Sequence, residues 1–92
     1  MKPLQPAHRE NKRYLLIQGS DINKEIIEDI LLEFLGIFGY SDAAPHFVVV
    51  KPDEIILAIN RESLNKVRAS FLLCEKDIRI VMVSGSLKKV KN

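Results

Sequence analysis

The apolar residues of this chain fall into six short blocks separated by turn-forming residues. Lys12 to Gln18 (KRYLLIQ) is an apolar run stopped by Gly19, and it predicts a strand. Ser20 or Asp21 is then placed to cap a helix, because either side chain accepts from orphan backbone amides. Ile26, Ile27, Ile30, Leu31, Phe34, Leu35 and Phe38 recur at three- and four-residue spacing, and Gly39 offers a stop. Glu25, Glu28 and Asp29 sit in the first half of that helix, where they complement its positive end. Tyr40 to Pro45 is turn-rich. His46 to Lys51 (HFVVVK) and Glu54 to Asn60 (EIILAIN) read as a hairpin closed by Pro52-Asp53. Asn60 is placed to cap a second helix from about Arg61 to Lys76, with Leu64, Val67, Phe71 and Cys74 as its apolar stripe and Leu72 at the edge. Ile78 to Val83 (IRIVMV) predicts a last strand.

Strand, helix, strand, strand, helix, strand is the order of the α+β, ferredoxin-like (RRM-like) βαββαβ sandwich. Right-handed crossovers put both helices on one face of a four-stranded antiparallel sheet. The chain divides into an arm over 1–11, with two prolines and no periodicity, one domain over 12–83, and a basic tail over 84–92. Alternation along the strands leaves a second face without helices. With Leu15 and Ile17 turned to the helices, Tyr14, Leu16 and Gln18 point away, and by the same logic Phe47, Val49, Ile56, Val81 and Val83 lie on the bare face. Apolar surface left uncovered in this way marks a protein contact. Leu16, Phe47, Val49 and Val81 are therefore the candidate docking residues for another polypeptide or a second copy.

Composition narrows the class. A chain of 92 residues suits one compact domain, and 47% hydrophobic residues argue against disorder throughout. Cys74 is the one cysteine, so no disulfide forms within the chain; it reads as a buried thiol on a helix. No apolar run reaches the ~20 residues needed to span a bilayer, and MKPLQPAH lacks the apolar middle of a signal peptide, which makes the cytoplasm the expected location. Net charge is only +2, but residues 1–20 carry +3, 21–40 carry −4, 41–60 carry −2 and 61–92 carry +5. Such segregation builds a basic face that suits a polyanion.

The inventory for catalysis is poor. His8 and His46 are far apart, no spacing resembles a zinc or calcium site, and no glycine loop cradles phosphate. No metal site is expected. Acylphosphatases share the strand order, and Ile17-Gln18-Gly19-Ser20 faintly resembles their phosphate loop. The arginine that loop requires is missing, and Asp21 would repel a phosphate. RNA-recognition motifs stack bases on aromatics of the first and third strands; Tyr14 could serve on the first, but EIILAIN has none. RNA contact would then run through basic side chains to phosphates. The candidates are Lys12, Arg13, Arg61, Arg68, Lys88, Lys89 and Lys91, with Tyr14 beside them. Lys66 and Arg79 read more simply as solvated surface, and Arg68 lies close enough to the buried stripe to serve as a packed, locally bonded side chain.

Four segments together resemble one family, archaeal ribonuclease P protein component 2, the archaeal counterpart of a eukaryotic ribonuclease P and MRP subunit. They are KRYLLIQ at 12–18, EFLGIFG at 33–39, INRESLNKVRASFLL at 59–73 and VSGSLKKVK at 83–91. Ser86 stands where the family usually has threonine, and Ile59 where cysteine is common. Many members continue past the Lys-rich tail into further helices. The matching motif residues are Lys12, Arg13, Tyr14, Asn60, Arg61, Arg68, Ser84, Gly85 and Lys88. The resemblance implies a subunit that binds and stabilises the catalytic RNA cleaving the 5′ leader from precursor tRNA. It also implies docking on archaeal ribonuclease P protein component 3 and self-association within a heterotetramer. RNA and its magnesium ions would do the chemistry, and the polypeptide itself would be non-catalytic and free of cofactor. The competing expectation is a ligand-binding or regulatory ferredoxin-like dimer with no role in RNA.

Overall fold

A computed structural model of the chain describes residues 12–91, with side chains through Val90; the expected arm over 1–11 and the Lys91 side chain lie outside the described residues. Four strands, β1 (Lys12–Gln18), β2 (His46–Lys51), β3 (Glu54–Asn60) and β4 (Arg79–Ser84), form one antiparallel sheet in the order β2-β3-β1-β4. Helix α1 (Lys24–Ala43) and helix α2 (Leu64–Leu73), the latter entered through a 3₁₀ turn at Arg61–Ser63, complete the expected βαββαβ order. A short third helix, α3 (Leu87–Lys91), follows β4.

The core lies between the sheet and the first two helices. Leu15 and Ile17 of β1, and Ile55, Leu57 and Ile59 of β3, meet Ile27, Ile30 and Leu31 of α1 and Val67 and Phe71 of α2. Each such side chain contributes about 1.5–3 kcal/mol by leaving water. The two buried hydroxyls add no unmet demand: Ser70 Oγ donates to Lys66 O at 2.9 Å, and no buried side-chain polar atom among the described residues lacks a partner.

Helix α1 departs from its expected limits at both ends. Its cap is Asn23, whose Oδ1 accepts from Ile26 N at 2.8 Å, because Ser20 and Asp21 are engaged elsewhere. Both the amide and the hydroxyl of Ser20 donate to Asp77 Oδ2, and Asp77 N donates to Asp21 Oδ2. The helix also runs past Gly39 to Ala43, where Ala44 in the left-handed region caps it. The break is at Gly36 (φ 74, ψ 176), a conformation that glycine adopts without a Cβ penalty. Tyr40 Oη donates weakly across the kink to Glu28 Oε2 at 3.5 Å, and burial, then the Glu28 carboxylate, push the phenol above its ordinary value. The kink turns Ile37 and Phe38 outward, to 76% and 87% exposure. Phe38, expected in the buried stripe, is therefore a surface side chain, and Phe34 is also exposed.

Helix α2 ends at Leu73, three residues before its expected limit at Lys76. Cys74 is its half-buried C-cap, with Sγ donating to Phe71 O at 3.2 Å. Two register shifts alter the strand faces. Between Phe47 and Val49 the pairing with β3 slips, so Phe47 opposes Leu57 on the helix side and Val49 opposes Ile56 on the other. Phe47 packs against the core, with Lys24 Nζ 5.5 Å from its ring centroid. A second shift opposite Leu16 and Ile17 leaves Val81 without a paired residue, puts Met82 opposite Leu16 and returns Val83 to the helix side. Each bulge inserts one residue and so reverses the parity that strict alternation assumes. Phe47 and Val83 are thus core-side residues, contrary to expectation. Leu16, Val49 and Ile56 do lie on the helix-free face, and Val81 is exposed at a bulge on the edge strand.

Candidate nucleic-acid interface

The start of β1, the end of β3 and the end of β4 meet at one end of the sheet. Lys12 pairs with Asn60, which Arg61 follows, and Tyr14 pairs with both Ala58 and Ser84, which Gly85 follows. The register therefore brings Lys12, Arg13, Tyr14, Arg61, Ser84 and Gly85 together although they lie up to 73 positions apart in the sequence. Lys12 and Tyr14 point to the helix-free face. Arg13 shares the parity of Leu15, and its Nη1 donates to Lys12 O at 2.9 Å. That guanidinium passes close to Gly85: a Cβ there would lie 3.2 Å from Nη1. Any larger residue at 85 would crowd the arginine.

Helix α3 delivers Lys88 and Lys89 to the same end, since it follows β4 directly and packs on β1 and β4. The stretch expected as a tail is thus a helix, and its first bonds are local. Ser84 Oγ accepts from Ser86 N at 3.0 Å, and Lys89 N donates to Ser86 O. Val90 is buried at 4% exposure, Leu87 is half-buried, and Lys88 and Lys89 are exposed. The lysine-rich run masks Val90 in the sequence; the i, i+3 spacing of Leu87 and Val90 is the signal that reveals it.

The electrostatics of this end are simple. Among the described residues the one ion pair is Arg79–Asp77, at the opposite end. Lys12, Arg13, Arg61, Lys88 and Lys89 have no carboxylate of the described residues within ion-pair distance. Asp42 and Glu62 lie on the helix side, lining a pocket with Asn60 and Lys66; Asn60 Nδ2 donates to Asp42 O at 2.6 Å. The motif asparagine thus ties β3 to the end of α1, not to the helix that follows it, where its side chain makes no cap bond. Tyr14 faces Ala58 across the strand pair, so no second aromatic completes a stacking platform.

Other expected residues lie elsewhere. Arg68 is exposed on α2 beside a groove formed with Phe71, Leu72, Ile78, Arg79 and Ile80, well away from the basic sheet end. Arg79 holds Asp77 at 2.7 Å. Lys66 lines the groove between α1 and α2. That groove is walled by Phe34, Leu35, Ala69 and Leu73, of which Phe34 and Leu73 are exposed. Among the described residues, more of the exposed large apolar side chains lie on the helices than on the strands. No helix among the described residues is long and apolar enough to cross a membrane.

No model of a protein family matches the chain. Curated relatives do. The chain is 33% identical over 106 residues to ribonuclease P protein component 2 of Methanocaldococcus jannaschii, covering 99% of this chain and 78% of that protein. It is 32% identical over 104 residues to ribonuclease P protein component 2 of Methanococcus vannielii, covering 99% and 80%. Its counterpart in Methanococcus maripaludis strain C5 is 29% identical over the same extent. With the ferredoxin-like sheet, the basic sheet end and this similarity along almost the whole of its length, the chain belongs to the ribonuclease P protein component 2 family.

Proposed function

We propose that the chain binds the catalytic RNA of an archaeal ribonuclease P and stabilises the shape in which that RNA cleaves the 5′ leader from precursor tRNA. The observation that carries this reading is the gathering of Lys12, Arg13, Arg61, Lys88 and Lys89 at one sheet end, without ion-pair partners among the described residues. Cations held on a rigid sheet end neutralise phosphates and release counterions. With Ala58 opposite Tyr14, contact runs to the backbone rather than to stacked bases, so the protein reads RNA shape more than sequence. The RNA and its magnesium ions supply the bond-breaking, and the polypeptide supplies charge and position. Replacing Lys88, Lys89 and Lys91 together by alanine weakens RNA binding and lowers the slope of log K against log salt by about two to three, at roughly 0.7–0.9 for each phosphate no longer neutralised. An unchanged slope rejects the assignment.

The helical groove suits the second role, docking on component 3 and assembly into a heterotetramer. Leu73 and Phe34 are exposed apolar side chains on a face whose rim carries both charge signs, Lys66 and Lys76 with Glu33 and Glu75. Leu73→Asp leaves the fold intact, because that side chain is already largely in water, yet it lowers affinity for component 3 by at least tenfold in a pull-down titration. Undiminished affinity moves the partner to another surface. Precursor cleavage by the cognate RNA and component 3, measured with and without the chain, tests both roles together.

A further inference from the structure

The helix-free face is covered in part by the chain itself. Val90 is 4% exposed, yet it lies outside the cluster of core residues beneath α1 and α2. Ile56 (2%) and Ala58 are also buried and also outside that cluster. Helix α3 packs on β1 and β4, and burial outside the cluster beneath the two long helices puts Val90 on the opposite sheet face. A helix of five residues does not persist by its own hydrogen bonds. Its docking depends on Val90, helped by Leu87, and works against the adjacent positive charges of Lys88, Lys89, Lys12 and Arg13, since α3 contains no acidic residue.

We propose that Val90 is the positioning residue of the phosphate-binding surface: by seating α3 on β1 and β4 it fixes Lys88 and Lys89 beside Lys12 and Arg13, and the docked helix and the bound RNA backbone stabilise each other. The inference rests on the RNA-binding reading and adds a coupling to it. Undocking α3 disperses two of the five cations of the cluster. Conversely, phosphates screen the like charges that oppose docking. The two effects are one coupling free energy and must be reciprocal.

The test uses the full chain with the cognate ribonuclease P RNA, in filter binding across a salt series and in amide hydrogen exchange of residues 87–91. Val90→Ser keeps every lysine but removes the apolar seat, whereas Val90→Ile keeps it. Thermal unfolding of both variants checks that the βαββαβ core persists. The expected result is a roughly tenfold loss of affinity with a flattened salt slope for Val90→Ser, affinity near the original for Val90→Ile, and slower exchange at 87–91 when RNA is bound. Binding by Val90→Ser with the original affinity and slope overturns the inference, as does RNA binding that leaves exchange at 87–91 unchanged, and in both cases the RNA-binding reading still stands. Failure of the unaltered chain to bind the RNA overturns that reading and this inference with it.

Discussion

At one end of the sheet Ser20, Asp21, Asp77 and Arg79 bond to one another and Gln18 donates to Glu54 at 3.2 Å; at the other, Lys12, Arg13, Arg61, Lys88 and Lys89 have no carboxylate partner among the described residues. Both ends are rich in charge, so abundance does not separate them. The difference lies in what the charge does. In the first, the Asp77 carboxylate collects donors from Ser20 and Arg79 and joins the β1–α1 connection to the α2–β4 connection. In the second, no carboxylate among the described residues pairs with the cations, and adjoining strand ends gather them at one end of the sheet. A charge used as a fastener is unavailable to a ligand, and a charge left open adds nothing to the fold.

The comparison breaks most sharply at Gly19. The β1–α1 loop runs so close to the other that a Cβ on Gly19 would collide with the Asp77 carbonyl oxygen. The clash is with backbone, so no side-chain rotation relieves it. Gly19→Ala should destabilise the fold by about 3 kcal/mol, read as a lower denaturation midpoint at unchanged m. Because the basic end is built from the opposite strand ends, the folded variant should bind RNA with the original salt slope. A loss of less than about 0.5 kcal/mol, or a changed slope, removes the claim that the two ends have separate tasks.

Much of this division is legible in the sequence, for a physical reason. The βαββαβ order follows from apolar blocks with the right periods, and the turn at Pro52-Asp53 follows from local chemistry. Phe47, Val83 and Phe38 do not follow. The first two are inverted by single-residue bulges, which depend on how two strands meet rather than on either strand alone. Phe38 is turned out by a backbone choice at Gly36 that a helical pattern reads through. The basic end is half legible. KRY, Asn60-Arg61 and the Lys-rich close stand out as motifs, but their convergence is set by pairing across the sheet, and Arg68, equally basic, is carried elsewhere by α2. The Asp77 clasp is not legible at all, since residues 20 and 77 share no periodicity.

That clasp also gives the smallest effect expected. The Asp77 carboxyl is held below its usual range of 3.8, chiefly by the amide and hydroxyl of Ser20 and then by the Arg79 guanidinium. A depressed folded-state value means that the group stabilises the fold above its unfolded value, and that this contribution fades as pH falls through the folded one. The window is therefore acidic, below about pH 4, and neutral stability carries the full contribution. Asp77 is open to solvent and its pair with Arg79 is exposed on both sides, so screening keeps the effect modest. Asn at 77 still accepts from Ser20 but does not titrate. Asp77→Asn should thus be less stable than the original chain near neutrality and approach it as pH drops toward about 2, the gap closing over the range where the aspartate protonates. Urea midpoints of the two chains across that range measure the closure. Parallel curves would mean that the carboxylate's charge has no part in joining the loops, and that hydrogen-bond geometry alone distinguishes this end of the sheet from the basic one.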